Sequence, residues 1–269
     1  MPDKKTIEHY LDAAISIAEG AGPIALGYFR NALEVDNKAE GKGSGQAFDP
    51  VTRADREVEA SMRAELARRF PDHGILGEEE AAVISDSAYQ WIIDPIDGTR
   101  AFISGVPAWG ILLGLTMDQT CLVGVMHQPY LGETFMGTPG RALMRRAGKE
   151  IVLRTSEATE VSSAILYCTH PSMFPSPEVA ARFERVASAA RMMRFGGDCY
   201  SYCLLAHGLI DLVVEAELQP YDIVPLIAIV EGAGGIVTNW QGESAMAGGR
   251  IVAAANQSLH QQALDLLNS

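Results

Sequence analysis

One short segment has the residue types and spacing expected of a cation-binding site: Asp94-Pro95-Ile96-Asp97-Gly98-Thr99. Its two aspartates lie within one turn of chain, and Pro95 and Gly98 favour a bend there. Such a bend directs both carboxylates and the Ile96 carbonyl to the same side. Carboxylates this close repel and raise each other's pKa unless a cation lies between them. Hard oxygen ligands without a histidine favour Mg²⁺ or Mn²⁺ over Zn²⁺.

An ordinary structural explanation also exists for these aspartates. Asp97 could be only the N-cap of a following helix, and Asp94 an exposed acid at the end of a strand. We favour a metal site because other acidic and turn-forming residues lie where that explanation predicts nothing in particular: Asp55, Gly77-Glu78-Glu79 and Pro220-Tyr221-Asp222. In addition, Gly98 and Thr99 could present backbone amides to an anion, with Thr99 capping the next helix.

Helical periodicity is clear in the first seventy residues. Apolar residues three and four apart predict a helix over residues 7–29, for which Thr6 is a plausible N-cap. The Gly, Lys and Ser content of residues 38–46 predicts a mobile loop. A second helix is predicted from Thr52, which places Asp55 in its first turn.

Strand signals position the other acids. Glu78 follows a short strand at residues 75–76, and Asp94 directly follows an apolar strand at residues 89–93. A meander of three strands is predicted next, at residues 110–116, 122–128 and 133–137.

The second half alternates between strands and helices. Strands are predicted at residues 165–168, 194–197, 210–215, 236–239 and 251–255. Helices are predicted at residues 177–190, from 198, at 222–232 with Asp222 at its start, and from about 258. An antiparallel-rich first half followed by this alternation predicts a layered α/β architecture. The division is predicted near residues 138–148, giving halves of residues 1–140 and 141–269.

Composition narrows the class of protein. The 269 residues include 34 acidic and 21 basic side chains, for a formal net charge of -13. This charge argues against a nucleic-acid partner, and it allows a phosphorylated substrate only where cations offset the carboxylates. The longest apolar runs are too short to span a bilayer and the N-terminal segment lacks a signal-peptide pattern, which predicts a cytoplasmic protein without a membrane partner. The four cysteines form no CxxC pair, so we expect reduced thiols and no zinc.

Four motifs in order along the chain resemble signatures of the inositol monophosphatase superfamily. They are Asp49-Pro50-Val51-Thr52-Arg53-Ala54-Asp55, Gly77-Glu78-Glu79, Trp91-Ile92-Ile93-Asp94-Pro95-Ile96-Asp97-Gly98-Thr99, and Asp222-Ile223 through Glu231-Gly232-Ala233-Gly234-Gly235. The resemblance covers essentially the whole chain. It implies an αβαβα sandwich, a Mg²⁺-dependent phosphomonoesterase for a small phosphorylated metabolite, and a homodimer.

The resemblance also implies ligand sets. One Mg²⁺ would be held by Glu78, Asp94 and the carbonyl of Ile96. A second would be held by Asp94, Asp97 and Asp222, and a third, weaker ion near Glu78 is common in the family. Two cations roughly 3.5–4 Å apart can stabilise both the attacking and the leaving oxygen of an in-line displacement.

Catalytic roles follow from the same resemblance. Thr99, hydrogen-bonded to Asp55, would orient and deprotonate a metal-activated water together with Glu78. The amides of Gly98 and Thr99 would hold the phosphate, and Asp222 would also face the substrate. The loop at residues 38–46 could close over the third cation.

The second half resembles the histidinol-phosphate phosphatase branch of the superfamily. The residues that carry this resemblance are Arg194-Phe195-Gly196-Gly197-Asp198-Cys199-Tyr200 and Pro220-Tyr221-Asp222, together with Asp97-Gly98-Thr99-Arg100-Ala101-Phe102-Ile103-Ser104-Gly105. Inositol enzymes usually have tryptophan–aspartate in the second signature and a small residue at position 198. The implied reaction is hydrolysis of L-histidinol phosphate, in histidine biosynthesis.

The chemistry of that substrate gives an independent reason to favour the histidinol-phosphate branch. Histidinol phosphate carries an ammonium and a protonatable imidazole, onto which Asp198 and Glu215 could converge with charge-assisted hydrogen bonds. Alternatively, Asp198 only caps the helix that begins there. Glu217 and Arg194 are left without a role. A broader inositol- or sugar-phosphate phosphatase and a catalytically silent interaction protein remain alternatives.

Overall fold

The computed structural model describes residues 2–31, 35–37 and 50–269. The loop predicted at residues 38–46, and Asp49 of the first motif, lie outside these residues. Within them, none of the helices combines the length and apolarity needed to cross a bilayer.

The first half is built on a seven-stranded sheet. Its elements are α1 (Lys4–Tyr28), β1 (Val35–Asn37), β2 (Pro50–Thr52), α2 (Arg53–Arg69), β3 (Gly74–Gly77), β4 (Tyr89–Asp97), α3 (Thr99–Ile103), β5 (Gly110–Met117), β6 (Thr120–Gln128), β7 (Glu133–Thr138), β8 (Arg141–Arg146) and β9 (Lys149–Val152). β3 to β9 lie side by side in sequence order, and every pair except β3 with β4 is antiparallel.

The second half is built on a five-stranded sheet. Its elements are β10 (Ile165–Cys168), α4 (Pro177–Ala189), β11 (Met192–Phe195), α5 (Asp198–Ala206), β12 (Leu212–Leu218), α6 (Pro220–Gly232), β13 (Ile236–Asn239), β14 (Gly249–Ala254) and α7 (Gln257–Asn268). The strand order is β11-β10-β12-β14-β13, with β10 parallel to both of its neighbours and the other pairs antiparallel.

The two sheets and the helices form five layers. α1 and α2 pack on the outer face of the seven-stranded sheet, and α5 and α6 fill the space between the sheets. α4 and α7 cover the outer face of the five-stranded sheet. The predicted αβαβα sandwich is therefore confirmed. A single apolar layer, around α5 and α6, joins the halves.

One helix cap was predicted wrongly, and two strands were not predicted. α1 begins before Thr6, because the carboxylate of Asp3 is the N-cap and accepts a hydrogen bond from the Thr6 amide over 2.8 Å. The first sheet also continues past the predicted meander, through β8 and β9 to Val152. These two strands were not predicted, and the boundary near residues 138–148 stays a prediction.

Glycines in three adjacent strands set the position of α6. Gly114, Gly124 and Gly137 lie opposite one another in β5, β6 and β7. A Cβ at Gly124 would be 1.8 Å from the carbonyl oxygen of Pro225, and one at Gly137 would be 2.2 Å from that of Ala228. The sheet therefore has a groove in which the α6 backbone lies, and this contact brings the start of α6 to the end of β4.

Candidate active site

A cleft of about 470 Å³ lies where β4, α3 and the start of α6 meet. Its lining includes the five predicted metal ligands, which are Glu78, Asp94, Ile96, Asp97 and Asp222. It also includes the two predicted phosphate contacts, Gly98 and Thr99, and three residues near the start of α6, Glu217, Gln219 and Tyr221. The chain thus brings the predicted ligands from both halves to one place.

Asp94 is buried at the end of β4. Its side chain is 1 % exposed, so the alternative of an exposed strand-end acid is wrong. β4 continues through Pro95 to Asp97, with a register shift against β5 between Asp94 and Asp97. Proline is tolerated at such an irregularity because its missing N–H is not needed for pairing there. The shift allows Asp94, the Ile96 carbonyl and Asp97 to face the cleft.

Neither Asp97 nor Thr99 is the N-cap of α3. That position belongs to Gly98, whose φ of 80° lies in the left-handed region, and it makes no side-chain cap bond. Asp97 instead accepts a hydrogen bond of 2.6 Å from the amide of Cys199 in α5. Thr99 is the first residue of α3, and its hydroxyl donates to the Ile96 carbonyl over 3.2 Å.

Asp222 completes a group of three carboxylates. It lies in the first turn of α6, where it accepts a 2.6 Å hydrogen bond from the Gln219 amide in a capping box. Carboxylate oxygens of Asp94, Asp97 and Asp222 all lie within 4.8 Å of one another. Burial and neighbouring acids raise the pKa of Asp94, and they raise those of Asp97 and Asp222 to about 7. A divalent cation fits this donor set, since it would offset the repulsion.

Asp55 and Thr99 have different hydrogen-bond partners from those predicted. Asp55 accepts from the amide and the hydroxyl of Thr52, at 2.8 and 2.5 Å, in the capping box of α2. Burial raises its pKa to about 6, and its charge contributes to raising the pKa of Asp94. Asp55 is therefore close to the carboxylates but does not line the cleft, and Thr99 is bonded to Ile96.

A smaller pocket of about 100 Å³ adjoins the cleft and shares Asp97 and Asp222 with it. Asp198 and Glu215, the predicted substrate-selecting residues, both line this pocket. Glu215 is 2 % exposed, and its oxygens accept hydrogen bonds from the Thr169 amide over 2.7 Å and the Tyr202 hydroxyl over 2.9 Å.

Asp198 has a different environment from Glu215. Its φ of 44° lies in the left-handed region, where an aspartate is strained and where function often explains the strain. The hydrogen bonds within the described part of the chain include none to its carboxylate, so Asp198 does not act as a helix cap. Burial, Asp97 and Glu215 raise its pKa to about 8. A Cβ at Gly98 would be 3.0 Å from the Asp198 Cβ, so this glycine lets the two loops meet.

Sequence reasoning gave no role to Tyr202, Thr169 or Glu217, which line these cavities. Tyr202 lies four positions after Asp198, a helical spacing that places it on the same face of α5 and could have indicated it. Thr169 reaches Glu215 through its backbone amide, which leaves no signal in the residue type. Glu217 lines the main cleft, with a φ of 62° at a register shift between β12 and β14.

Comparison with known proteins shows the family to which this chain belongs. The model of the inositol monophosphatase family matches residues 6–269. The chain therefore belongs to the inositol monophosphatase family, as the sequence motifs predicted, and such a protein is a metal-dependent phosphatase of small phosphorylated substrates.

Three relatives are informative. The bifunctional phosphatase IMPL2 of Arabidopsis thaliana, named as chloroplastic, is 35% identical over 97% of this chain and 75% of its own. A histidinol-phosphatase of Mycobacterium tuberculosis is 36% identical over 88% of this chain and 89% of its own. The solved structure of an inositol monophosphatase from Zymomonas mobilis is 36% identical, with a TM-score of 0.83, over 97% of this chain and 98% of that one.

Proposed function

We propose that this protein hydrolyses L-histidinol phosphate to L-histidinol and inorganic phosphate, with two or three Mg²⁺ ions in the cleft. The substrate assignment rests on Asp198, whose carboxylate lines a pocket next to the three clustered aspartates. Within the described residues, no group donates a hydrogen bond to this carboxylate. The 36% identical histidinol-phosphatase of M. tuberculosis supports the proposal.

Glu78, Asp94, Asp97, Asp222 and the Ile96 carbonyl are the groups that would hold the cations. When bound, the cations supply positive charge for the phosphate and Lewis-acid activation for its transfer to water. Without such charge, the cleft would repel a phosphate dianion. Mn²⁺ has the same preference for oxygen ligands and should substitute.

Thr99 can orient the attacking water in this arrangement. Its proton is directed to the Ile96 carbonyl, so its oxygen is left to accept a hydrogen bond from water in the cleft. Glu78, which also lines the cleft, would accept the water's proton. Asp55 would act through its charge and through Thr52, since it lies outside the cleft. The amides of Gly98 and Thr99 remain the proposed phosphate contacts.

Asp198 would select a cationic substrate. An ammonium in the small pocket would favour the ionised form of this carboxyl and so oppose the rise in its pKa that burial and the neighbouring acids cause. Glu215 already accepts two hydrogen bonds and has less free capacity, so it would contribute mainly negative charge.

A second candidate is hydrolysis of inositol 1-phosphate. The inositol monophosphatase of Z. mobilis is as identical to this chain as the histidinol-phosphatase of M. tuberculosis, at 36%. Overall similarity therefore does not separate the two substrates. Phosphate release from both compounds by the purified protein with Mg²⁺ tests the proposal. We expect a clear preference in kcat/KM for L-histidinol phosphate, and equal values or a preference for inositol 1-phosphate would refute it.

Divalent cations should stabilise the protein, and more so at higher pH. The raised pKa values of Asp97 and Asp222, about 7, mean that the metal-free protein loses stability as the pH rises from about 4 to about 7. Free Mg²⁺ at about 100 times its dissociation constant adds about 2.7 kcal/mol, or about 5–10 °C in Tm. Thermal melts with Mg²⁺ and with EDTA, at pH about 6 and about 8, check this. A Mg²⁺ effect that shrinks at the higher pH would contradict it.

We also propose that the protein is cytoplasmic and that it forms a homodimer. The relative from A. thaliana is named as chloroplastic.

A further inference from the structure

A buried ion pair on α2 lies directly behind the loop that carries Glu78. Glu59 is 0 % exposed and Arg63 is 8 % exposed, and Nε of Arg63 donates to Oε1 of Glu59 over 2.7 Å. Burying two charges is unfavourable unless their other hydrogen-bonding groups are also satisfied. The partners of those other groups therefore show what the pair holds in place.

The remaining hydrogen bonds of the pair go to the loop backbone. The Glu59 carboxylate accepts from the amides of Glu79, over 2.8 Å, and Glu80, over 3.1 Å. Arg63 donates to the carbonyl oxygens of Glu80, over 2.9 Å, and Ala81, over 3.2 Å. These four bonds fix the chain directly after the proposed ligand, in a segment without helix or strand.

Gly77 shows how closely the loop lies on the pair. A Cβ at this position would be 2.2 Å from Oε1 of Glu59 and 2.7 Å from Nη2 of Arg63. Gly77 ends β3 beside Ile93 of β4, so the loop leaves the sheet next to Asp94. The glycine of the Gly-Glu-Glu motif is therefore explained by the approach of the backbone to a buried ion pair.

We propose that Glu59 and Arg63 are positioning residues, which direct the Glu78 carboxylate towards Asp94 by fixing the backbone of the loop. This inference rests on the proposed function, because it takes Glu78 to be a cation ligand. The pair does not line the cleft and acts only through the loop. Positioning predicts weaker cation binding when the pair is removed, whereas a purely structural role predicts only a lower Tm.

The experiment removes the pair in two ways. Glu59→Gln removes the negative charge with little change of shape, and leaves Arg63 with only the half-exposed carboxylate of Glu80, 3.7 Å from its Nε, as a counter-charge. The double variant with Glu59→Met and Arg63→Met fills the space with apolar side chains, an exchange that is often neutral or stabilising for a buried ion pair. Glu65→Gln, which removes the exposed partner of Arg68 and Arg69 on the same helix, is the matched control.

Cation binding is measured directly, by electron paramagnetic resonance of Mn²⁺ without substrate, beside kcat, KM and Tm. Both variants of the pair should bind Mn²⁺ about 10-fold or more weakly, as expected when residues that orient metal ligands are lost. The Glu65→Gln protein should bind it as the wild type does. Mn²⁺ binding is compared at a temperature below the Tm of every variant, so that weaker binding is separated from unfolding.

Wild-type Mn²⁺ affinity in the double variant, whatever its Tm, would overturn the positioning role and leave the proposed function standing. If the wild-type protein itself bound no Mn²⁺, both the positioning role and the proposed function would fail.

Discussion

Replacing Asp94 with asparagine should lower kcat for phosphate release about 10³-fold, because Asp94 is the carboxylate that both proposed cation sites share. A loss of about 4 kcal/mol of transition-state stabilisation corresponds to this factor. The substitution should not unfold the protein. Asparagine keeps the oxygen that accepts from the Ile96 amide, and it removes a buried charge that neighbouring acids repel.

The readouts for this variant are kcat at saturating Mg²⁺ and Tm in EDTA. Asp211→Asn is the matched control. Asp211 is also buried, at 7 % exposed, but it accepts hydrogen bonds from the Ile165 amide and the Ser156 hydroxyl, away from the cleft. We expect the control to lower Tm with kcat nearly unchanged, the reverse of the Asp94→Asn result. An Asp94→Asn protein with near-normal turnover would rule out Asp94 as a shared ligand.

Replacing Asp198 with asparagine should raise KM for L-histidinol phosphate about 30-fold or more. Removing one member of a desolvated charge pair costs about 2 kcal/mol at the low end, which is this factor in affinity. KM for phosphates of neutral alcohols should change little, since those substrates present no cation to the pocket. Asparagine also tolerates the left-handed backbone conformation at this position, so the start of α5 should be preserved.

Glu217→Gln is the control for a general loss of negative charge near the substrate. Glu217 lines the main cleft but not the small pocket that contains Asp198. The measurement is KM for histidinol phosphate and for a neutral-alcohol phosphate, for wild type and both variants. Equal increases for the two substrates, or the same increase with Glu217→Gln, would show that Asp198 is not the receptor for the ammonium group.

Most of the elements could be predicted from sequence because their signals are local. Helical periodicity located α2, with its start near Thr52 and Asp55 in its first turn, and apolar runs followed by acids located β3 and β4. β8 and the edge strand β9 were missed. β9 is exposed along its whole length, so burial imposed no alternation of apolar and polar residues there.

Hydrogen-bond partners could not be predicted from residue types and spacing. Thr99 donates to Ile96 and not to Asp55, Asp97 accepts from Cys199, and the loop of Glu78 rests on a buried ion pair of α2. Residue types and local spacing restrict which groups can form hydrogen bonds, but tertiary packing determines which acceptor lies at hydrogen-bonding distance from each donor.

The sequence by itself determined the expected chemistry of the cleft: the acid types favour hard cations, and the order of the motifs resembles a family of phosphatases. Only the tertiary structure decided that the acids meet. Asp222 comes from the second half, and it reaches Asp94 because glycines aligned across β5, β6 and β7 admit the α6 backbone. Asp198 reaches the same place because Gly98 leaves room for it. In both cases the deciding factor is steric, since a single Cβ at the contact would hold the two halves of the site apart.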